Sequence, residues 1–91
     1  MTALRFRRRD DLPVTRVDDD AFVVVPATEA VFHMNSLGRA LWDLLAEPCS
    51  AAELTEAIAE AFPDQRRDDI ARDIEAFMTR LRDHALISPA S

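Results

Sequence analysis

The side chains that could act as nucleophiles, bases or soft metal ligands are few in this sequence and are far apart. Cys49 is the single cysteine, and the two histidines are His33 and His84. A catalytic cysteine needs a base within hydrogen-bond reach, and a structural zinc ion needs four clustered ligands. No CxxC or HExxH spacing brings such residues together, and the one glycine, Gly38, does not make a glycine-rich phosphate loop. The sequence therefore predicts no catalytic site, no metal site and no cofactor.

Charge is distributed unevenly along the chain. All basic residues are arginines, and four of the eleven lie within residues 5–9, ahead of all seventeen acidic residues. The body that follows is strongly acidic, so it repels a phosphate backbone, whereas nucleic-acid-binding proteins need clustered positive charge. We expect residues 1–11 to be a flexible, Arg-rich N-terminal arm, and we expect no nucleic-acid partner.

Length and hydropathy favour one small soluble domain. A chain of 91 residues is long enough for one compact core. Apolar residues make up 48% of it, yet no apolar run approaches the roughly 20 residues that cross a bilayer, and the N-terminus has no hydrophobic signal segment. We therefore expect a cytoplasmic location and no membrane partner.

The first third of the chain has the composition of short strands. Residues 12–17 and 21–25 are rich in β-branched residues and are separated by three aspartates, which suit a turn, and the second run stops at Pro26. Residues 29–34 form a third candidate strand. Alternation along it places Phe32 and Met34 on the side of the helices and Val31 and His33 on the opposite face.

From Asn35 onward the apolar residues recur at helical spacing. Asn35 or Ser36 can cap a first helix that runs to about Glu47. Ser50 and Glu53 have the spacing of a capping box, which predicts a second helix to about Phe62, and a third helix is expected from near Arg66 to near His84. Three strands followed by three helices indicate an α+β domain with a three-stranded antiparallel sheet.

Two of these elements could together bind a peptide. If the third strand lies at the edge of the sheet, its free amides and carbonyls are a template for an incoming strand. The third helix carries Asp69, Asp73 and Arg80 alongside an apolar stripe through Ile70 and Phe77. Strand and helix could therefore form a groove with backbone hydrogen bonds on one wall and apolar sockets and charges on the other.

The order and spacing of these motifs resemble the PqqD family, small proteins that share their fold with the precursor-peptide recognition domains of peptide-modifying systems. The chain departs from the family's pattern at Ala85, where many relatives have glycine. The resemblance covers about residues 12–87 and is carried by residues 22–26, 31–35, 41–45, 50–54, 73–81 and 86–87.

The resemblance implies a winged-helix domain over residues 12–87, followed by a C-terminal tail at 88–91. It implies a protein without catalytic activity that binds the leader segment of a ribosomally made precursor peptide by strand addition and delivers it to a modifying enzyme, such as a radical S-adenosylmethionine protein, a protease or a cyclase. The peptide-binding positions that the resemblance implies are Glu29, Val31, Phe32, His33, Asp69, Ile70, Asp73, Phe77 and Arg80.

Two other functions agree with the same elements. A DNA-binding winged helix also combines three helices with a small sheet, although the acidic third helix would bring carboxylates toward phosphates. A generic adaptor could instead bind its partners through the acidic surface, and that binding would weaken as salt is added.

Overall fold

The computed structural model describes residues 4–25 and 27–90. It contains three helices and two three-stranded antiparallel sheets. In one sheet the second, third and fourth strands along the chain are adjacent in that order, and in the other the first strand lies between the fifth and the sixth. The predicted α+β, winged-helix-type fold is confirmed. The elements follow the order β1 (Arg5–Arg8), β2 (Val14–Val17), β3 (Asp20–Val25), β4 (Ala30–Met34), α1 (Ser36–Leu44), β5 (Cys49–Ser50), α2 (Ala51–Ala61), α3 (Arg67–Asp83) and β6 (Ile87–Ala90).

The β2-β3-β4 sheet is a meander with one buried face. The β2-β3 hairpin closes at the pair Val17↔Asp20, and Asp18 takes a left-handed backbone with φ 54°, a conformation that aspartate tolerates in tight turns. Strands β3 and β4 pair from Ala21↔Met34 to Val25↔Ala30. Phe32 and Met34 are buried while Val31 and His33 are exposed, so the predicted alternation is confirmed. Pro26, the predicted end of the second strand, lies outside the described residues.

The helices begin at the caps that the sequence indicates. The Asn35 side chain accepts a hydrogen bond from the Gly38 amide at 2.9 Å, which makes Asn35 the N-cap of α1. The predicted capping box is present, because the Glu53 amide donates to Ser50 Oγ and the Ser50 amide donates to Glu53 Oε1. Helix α1 ends at Leu44, before the predicted Glu47.

The core lies between the inner face of the β2-β3-β4 sheet and the three helices. Trp42 is only 1% exposed, and the Arg8 guanidinium lies 5.7 Å from its ring centroid. Burial at this level contributes about 1.5–3 kcal/mol for each large apolar side chain. The largest side chains with under 2% exposure are Trp42, Met34, Leu41, Leu45, Leu54, Ile58, Ile70, Ile74, Leu81, Leu86 and Val23.

The N-terminal region differs from the expected flexible arm. Arg5–Arg8 forms the central strand β1 of the second sheet and pairs with β6 from Arg5↔Ala90 to Arg8↔Ile87. The reason is Phe6, which is 7% exposed and belongs to the core. The expected C-terminal tail likewise contributes residues 88–90 to β6, and residues 1–3 and 91 lie outside the described part of the chain.

The N-terminal arginines are paired with acids of the same domain. Arg5 Nε lies 3.0 Å from Glu53 Oε1, Arg7 Nη2 lies 2.7 Å from an Asp10 carboxylate oxygen, and Arg9 makes the same contact with Asp11. These pairs are exposed, and exposed pairs contribute about 0–1 kcal/mol each. Backbone pairing and Phe6 burial therefore hold β1 in place, and the ion pairs reduce the positive charge that this end of the chain presents.

Candidate functional site

Strand β4 is an edge of its sheet. In the order β2-β3-β4 it pairs with β3 on one side, and no other strand in the described part of the chain covers its second side. Val31, the second residue of β4, is 62% exposed, the largest exposure of any large hydrophobic side chain described. An exposed edge of this kind presents unpaired amides and carbonyls to an incoming strand.

The register shows which backbone groups of β4 point outward. The Val25 carbonyl accepts the Glu29 amide at 2.7 Å, so it faces the β4 side of β3. Because backbone groups alternate along a strand, the Val23 and Ala21 groups face the same way and bond to Phe32 and Met34. The amides and carbonyls of Val31 and His33 therefore point away from β3, toward the free edge.

Glu29 is not part of this strand. The sequence places it at the start of the third strand, but β4 begins at Ala30, and Glu29 belongs to the preceding turn with φ 59°. In that turn the Ala30 amide donates to Thr28 Oγ1 at 3.3 Å. Residues 27–29 form the turn before β4, so the free edge of the strand begins at Ala30. The Glu29 side chain is exposed and belongs to this turn.

Helix α3 packs beside β4 through aromatic contacts. The Phe32 and Phe77 ring centroids are 6.1 Å apart, and the Phe32 ring meets His84 edge-on at 5.5 Å. The Arg80 guanidinium lies over both phenylalanines, 5.6 Å from the Phe32 centroid and 5.8 Å from that of Phe77. The predicted partnership of the strand and the third helix is therefore present in the fold.

A groove of about 360 Å³ opens where β4, α1 and α3 meet. The sequence predicted the walls from β4 and α3 but not the third wall, which α1 supplies. The groove is lined by His33, Met34 and Asn35 at the end of β4, by Leu37, Gly38 and Leu41 of α1, and by Asp73, Ala76, Phe77 and Arg80 of α3.

Gly38 explains how α1 comes so close to the other two walls. A Cβ atom at this position would lie 3.2 Å from Met34 Cβ and 3.2 Å from Phe77 Cε1, tighter than ordinary van der Waals contact. A side chain here would push against the groove wall. The sequence offered one signal for this role, which is that the chain's single glycine lies inside a helix, where glycine costs about 1 kcal/mol relative to alanine.

The predicted binding positions divide into groups. His33, Asp73, Phe77 and Arg80 line the groove, and Phe32 lies behind Phe77 and Arg80. Ile70 is 0% exposed and belongs to the core. The remaining predicted positions, Glu29, Val31 and Asp69, are exposed and lie outside the groove lining.

His33 is held at the rim of the groove by two neighbours. Its Nε2 lies 2.9 Å from Asp20 Oδ2, and its ring centroid is 5.0 Å from that of Phe22 on the outer face of the sheet. Both neighbours belong to β3, so the imidazole lies on the outer face of the sheet toward β3, and the His33 backbone groups remain at the free edge.

Cys49 lies in β5 and is not among the residues that line the groove. Its thiol donates to the Leu44 carbonyl at 3.4 Å, and burial raises the pKa of the Cys49 thiol, with the nearby Glu53 and Glu47 charges acting in the same direction. A raised pKa favours the protonated thiol, which is the poorer nucleophile. Cys49 therefore has the surroundings of a structural cysteine.

The carboxylates of α3 bear on the alternative of DNA binding. Asp68, Asp69, Asp73, Glu75 and Asp83 are all exposed. A recognition helix approaches phosphates closely, so this helix would bring negative charge to a negatively charged backbone. The surface of α3 does not favour that function.

Comparison with known proteins shows the family to which the sequence belongs. The model for the family described as Coenzyme PQQ synthesis protein D (PqqD) matches residues 20–87. The chain belongs to the PqqD family. The match begins with β3 and includes β4 and all three helices, so the family resemblance predicted from the sequence motifs is confirmed. No curated protein sequence matches this PqqD-family chain.

A solved structure, TbiB1 in complex with the TbiA(beta) leader peptide, has the same fold as this PqqD-family protein. The TM-score is 0.76 and the sequence identity is 22%, and the match covers 93% of this chain and 98% of the TbiB1 chain. The coverage extends the likeness beyond residues 20–87 to most of the domain. Within the described residues of this PqqD-family protein, no helix is both long enough and apolar enough to span a membrane.

Proposed function

We propose that this protein binds the leader segment of a ribosomally made precursor peptide, which adds as a fourth strand to the β2-β3-β4 sheet at the free edge of β4. The observation that carries the proposal is the outward-facing backbone of Val31 and His33 beside a groove with an apolar floor. Strand addition draws affinity from main-chain hydrogen bonds and specificity from side-chain sockets. Membership of the PqqD family and the fold shared with TbiB1, which is bound to a leader peptide, support this role.

The protein itself performs no chemistry on the peptide in this proposal. It presents the leader in the cytoplasm to a modifying enzyme, such as a radical S-adenosylmethionine protein, a protease or a cyclase. Holding the leader raises the effective concentration of the attached core peptide at the enzyme. Adding the protein should therefore raise kcat/KM of the modifying enzyme for the full precursor, and an equal rate with and without the protein would contradict this part of the proposal.

Strand addition is tested by an NMR titration of isotope-labelled protein with a panel of candidate leader peptides. The expected result is that one peptide shifts amides in residues 29–34 and 66–81, with the largest shifts at Val31 and His33. Duplex DNA at matched salt is the control. Shifts produced by the duplex alone would favour the DNA-binding alternative, and binding that disappears with added salt and leaves the β4 amides unmoved would favour the acidic adaptor.

A proline at Val31 isolates the contribution of the strand edge. Because the Val31 amide points away from β3, Val31→Pro removes an edge donor without removing a ladder hydrogen bond. It should weaken leader binding by about tenfold or more, through the lost hydrogen bond and the bulk of the ring at the edge. Val31→Thr retains the amide and the branched shape and should bind normally. Equal affinities for the two variants, each with an unchanged circular dichroism spectrum, would refute strand addition at β4.

A further inference from the structure

Two exposed charges of opposite sign lie at either end of the groove wall that α3 forms. Asp73 and Arg80 both line the groove, and the buried Phe77 lies between them along the helix. Seven residues of α-helix separate the two charges by about 10 Å along the axis. The wall therefore presents, in order along α3, a negative charge, an apolar contact and a positive charge.

Both charges are available to a ligand. Within the described residues, neither Asp73 nor Arg80 has an ion-pair partner inside 4 Å, whereas all four N-terminal arginines do. The Arg80 guanidinium is stacked over Phe32 and Phe77, which fixes its position. Stacking uses the face of the guanidinium, so the N–H groups at its edge remain free to meet a carboxylate.

The contacts between β4 and α3 show how the two elements run relative to each other. Phe32 contacts Phe77 and Arg80 in the last two turns of α3 and also His84, the C-cap of that helix. Further along β4, residues 33–35 line the groove together with Asp73 and Ala76, earlier residues of α3, whereas His84 does not line it. As β4 advances, its contacts on α3 therefore move toward earlier residues, so the two elements run in opposite directions. A strand that pairs antiparallel with β4 then runs in the same direction as α3.

We infer, resting on the proposed function, that the groove selects a leader segment by the order of its charges: a basic residue, then an apolar residue, then an acidic residue, at every second position from N- to C-terminus. Alternate residues of a strand face the same side and are about 7 Å apart, so positions i, i+2 and i+4 span about 13 Å. That span is close to the separation of about 10 Å between Asp73 and Arg80, and the flexible side chains of the peptide can cover the difference. The basic residue meets Asp73, the apolar residue meets Phe77, and the acidic residue meets Arg80.

Two synthetic peptides with capped ends separate charge order from strand addition. The first is Ser-Thr-Lys-Val-Leu-Val-Glu-Thr-Ser, and the second, Ser-Thr-Glu-Val-Leu-Val-Lys-Thr-Ser, exchanges the two charges. Composition, net charge and strand propensity are identical. In NMR titrations at low salt the first peptide should bind roughly three- to tenfold more tightly, since two exposed ion pairs replace two like-charge contacts. The preference should shrink at about 0.5 M salt because the charges are screened.

Exchanging the charges of the protein should invert this preference. The double variant Asp73→Arg/Arg80→Glu has the same net charge as the natural protein and should bind the second peptide more tightly. The matched control is Arg72→Glu/Glu75→Arg, which exchanges two exposed charges of α3 outside the groove lining and should keep the original preference. Equal affinity for both peptides, or the same preference in both double variants, would overturn the charge-order inference.

The β4 amides distinguish failure of this inference from failure of the proposed function. If both peptides shift the Val31 and His33 amides with equal affinity, strand addition stands and charge selection is wrong. If the natural protein prefers the second peptide, the groove selects the opposite order of charges and the inferred charge order is wrong. If neither peptide moves the β4 amides while the chain is folded, both the inference and strand addition by simple extended peptides are overturned.

Discussion

The Arg80 guanidinium lies over the ring of Phe32, with Cζ 5.6 Å from the ring centroid, and so joins α3 to the edge strand β4. The same guanidinium lies 5.8 Å from the centroid of Phe77. One exposed side chain therefore covers the aromatic contact between strand and helix and contributes to the wall of the groove. The arrangement links the stability of this corner of the fold to the surface proposed to bind a leader.

Removing this side chain should cost little stability. Cation–π contacts at exposed sites contribute about 0.5–1 kcal/mol, so Arg80→Ala should lower the free energy of unfolding by about that amount. Urea denaturation measures the change. Arg72→Ala, at another exposed position of α3 for which no aromatic contact is described, should change it by less than about 0.5 kcal/mol. Equal effects for the two variants would mean that the stacking on Phe32 and Phe77 contributes nothing.

The N-terminal strand should be an integral part of the domain. Phe6 is 7% exposed, and replacing a buried phenylalanine with alanine costs about 3–5 kcal/mol. Phe6→Ala should therefore destabilise the protein by about 3 kcal/mol in urea denaturation. Leu4→Ala, at a side chain that is 60% exposed, is the matched control and should stay within about 0.5 kcal/mol. An unchanged midpoint for Phe6→Ala would instead indicate a mobile arm.

Ala85 should be a site where glycine stabilises the fold. It has φ 55° and follows His84, the C-cap of α3. Its amide donates to the Arg82 carbonyl while the Leu86 amide donates to the Leu81 carbonyl, which is the pattern of a Schellman motif. A non-glycine residue in this conformation costs about 1–2 kcal/mol. Glycine relieves this strain but also gives the unfolded chain more conformational freedom, which opposes folding. The net effect of Ala85→Gly should be a free energy of unfolding about 1 kcal/mol higher.

The thermal midpoint provides the measurement for Ala85→Gly. A change of this size should raise Tm by about 4–8 °C in a domain of this length. Ala71→Gly, inside α3, is the control of opposite sign and should lower stability by about 1 kcal/mol. A destabilised Ala85→Gly variant would show that the alanine side chain makes a packing contribution larger than its backbone strain.

The capping box of α2 should contribute to the pH dependence of stability. The Ser50 amide donates to the Glu53 carboxylate, and with the nearby Arg5 this holds the pKa of Glu53 below its ordinary value of 4.5. A carboxyl group whose pKa is lower in the folded than in the unfolded state stabilises the fold above its ordinary pKa. That contribution is lost as the pH falls through the folded pKa.

Glu53→Gln removes this titration. The variant should be less stable than the natural protein at about pH 7. The difference in the free energy of unfolding should shrink below about pH 4.5, as the Glu53 carboxylate of the natural protein becomes protonated. Urea denaturation at a series of pH values measures both curves. A stability difference that stays constant down to about pH 3 would rule out the carboxylate as its cause.

The local structure of the domain was readable from the sequence because its signals are local. The alternation of Phe32 and Met34 with Val31 and His33 determined which face of β4 is buried. Ser50 and Glu53 marked the start of α2 by a reciprocal hydrogen bond between residues three apart. Such patterns act through neighbours in the chain, so the order of strands and helices, and from it the α+β class, followed from the sequence.

Only the tertiary structure decided what joins distant parts of the chain. Strand β1 reads as an arginine-rich arm because its single apolar side chain, Phe6, finds its core partners and β6 only in the folded domain. The third wall of the groove exists because Gly38 lets α1 approach Met34 and Phe77. Contacts between residues far apart in sequence depend on the packing of all the elements at once, and no spacing along one segment records them.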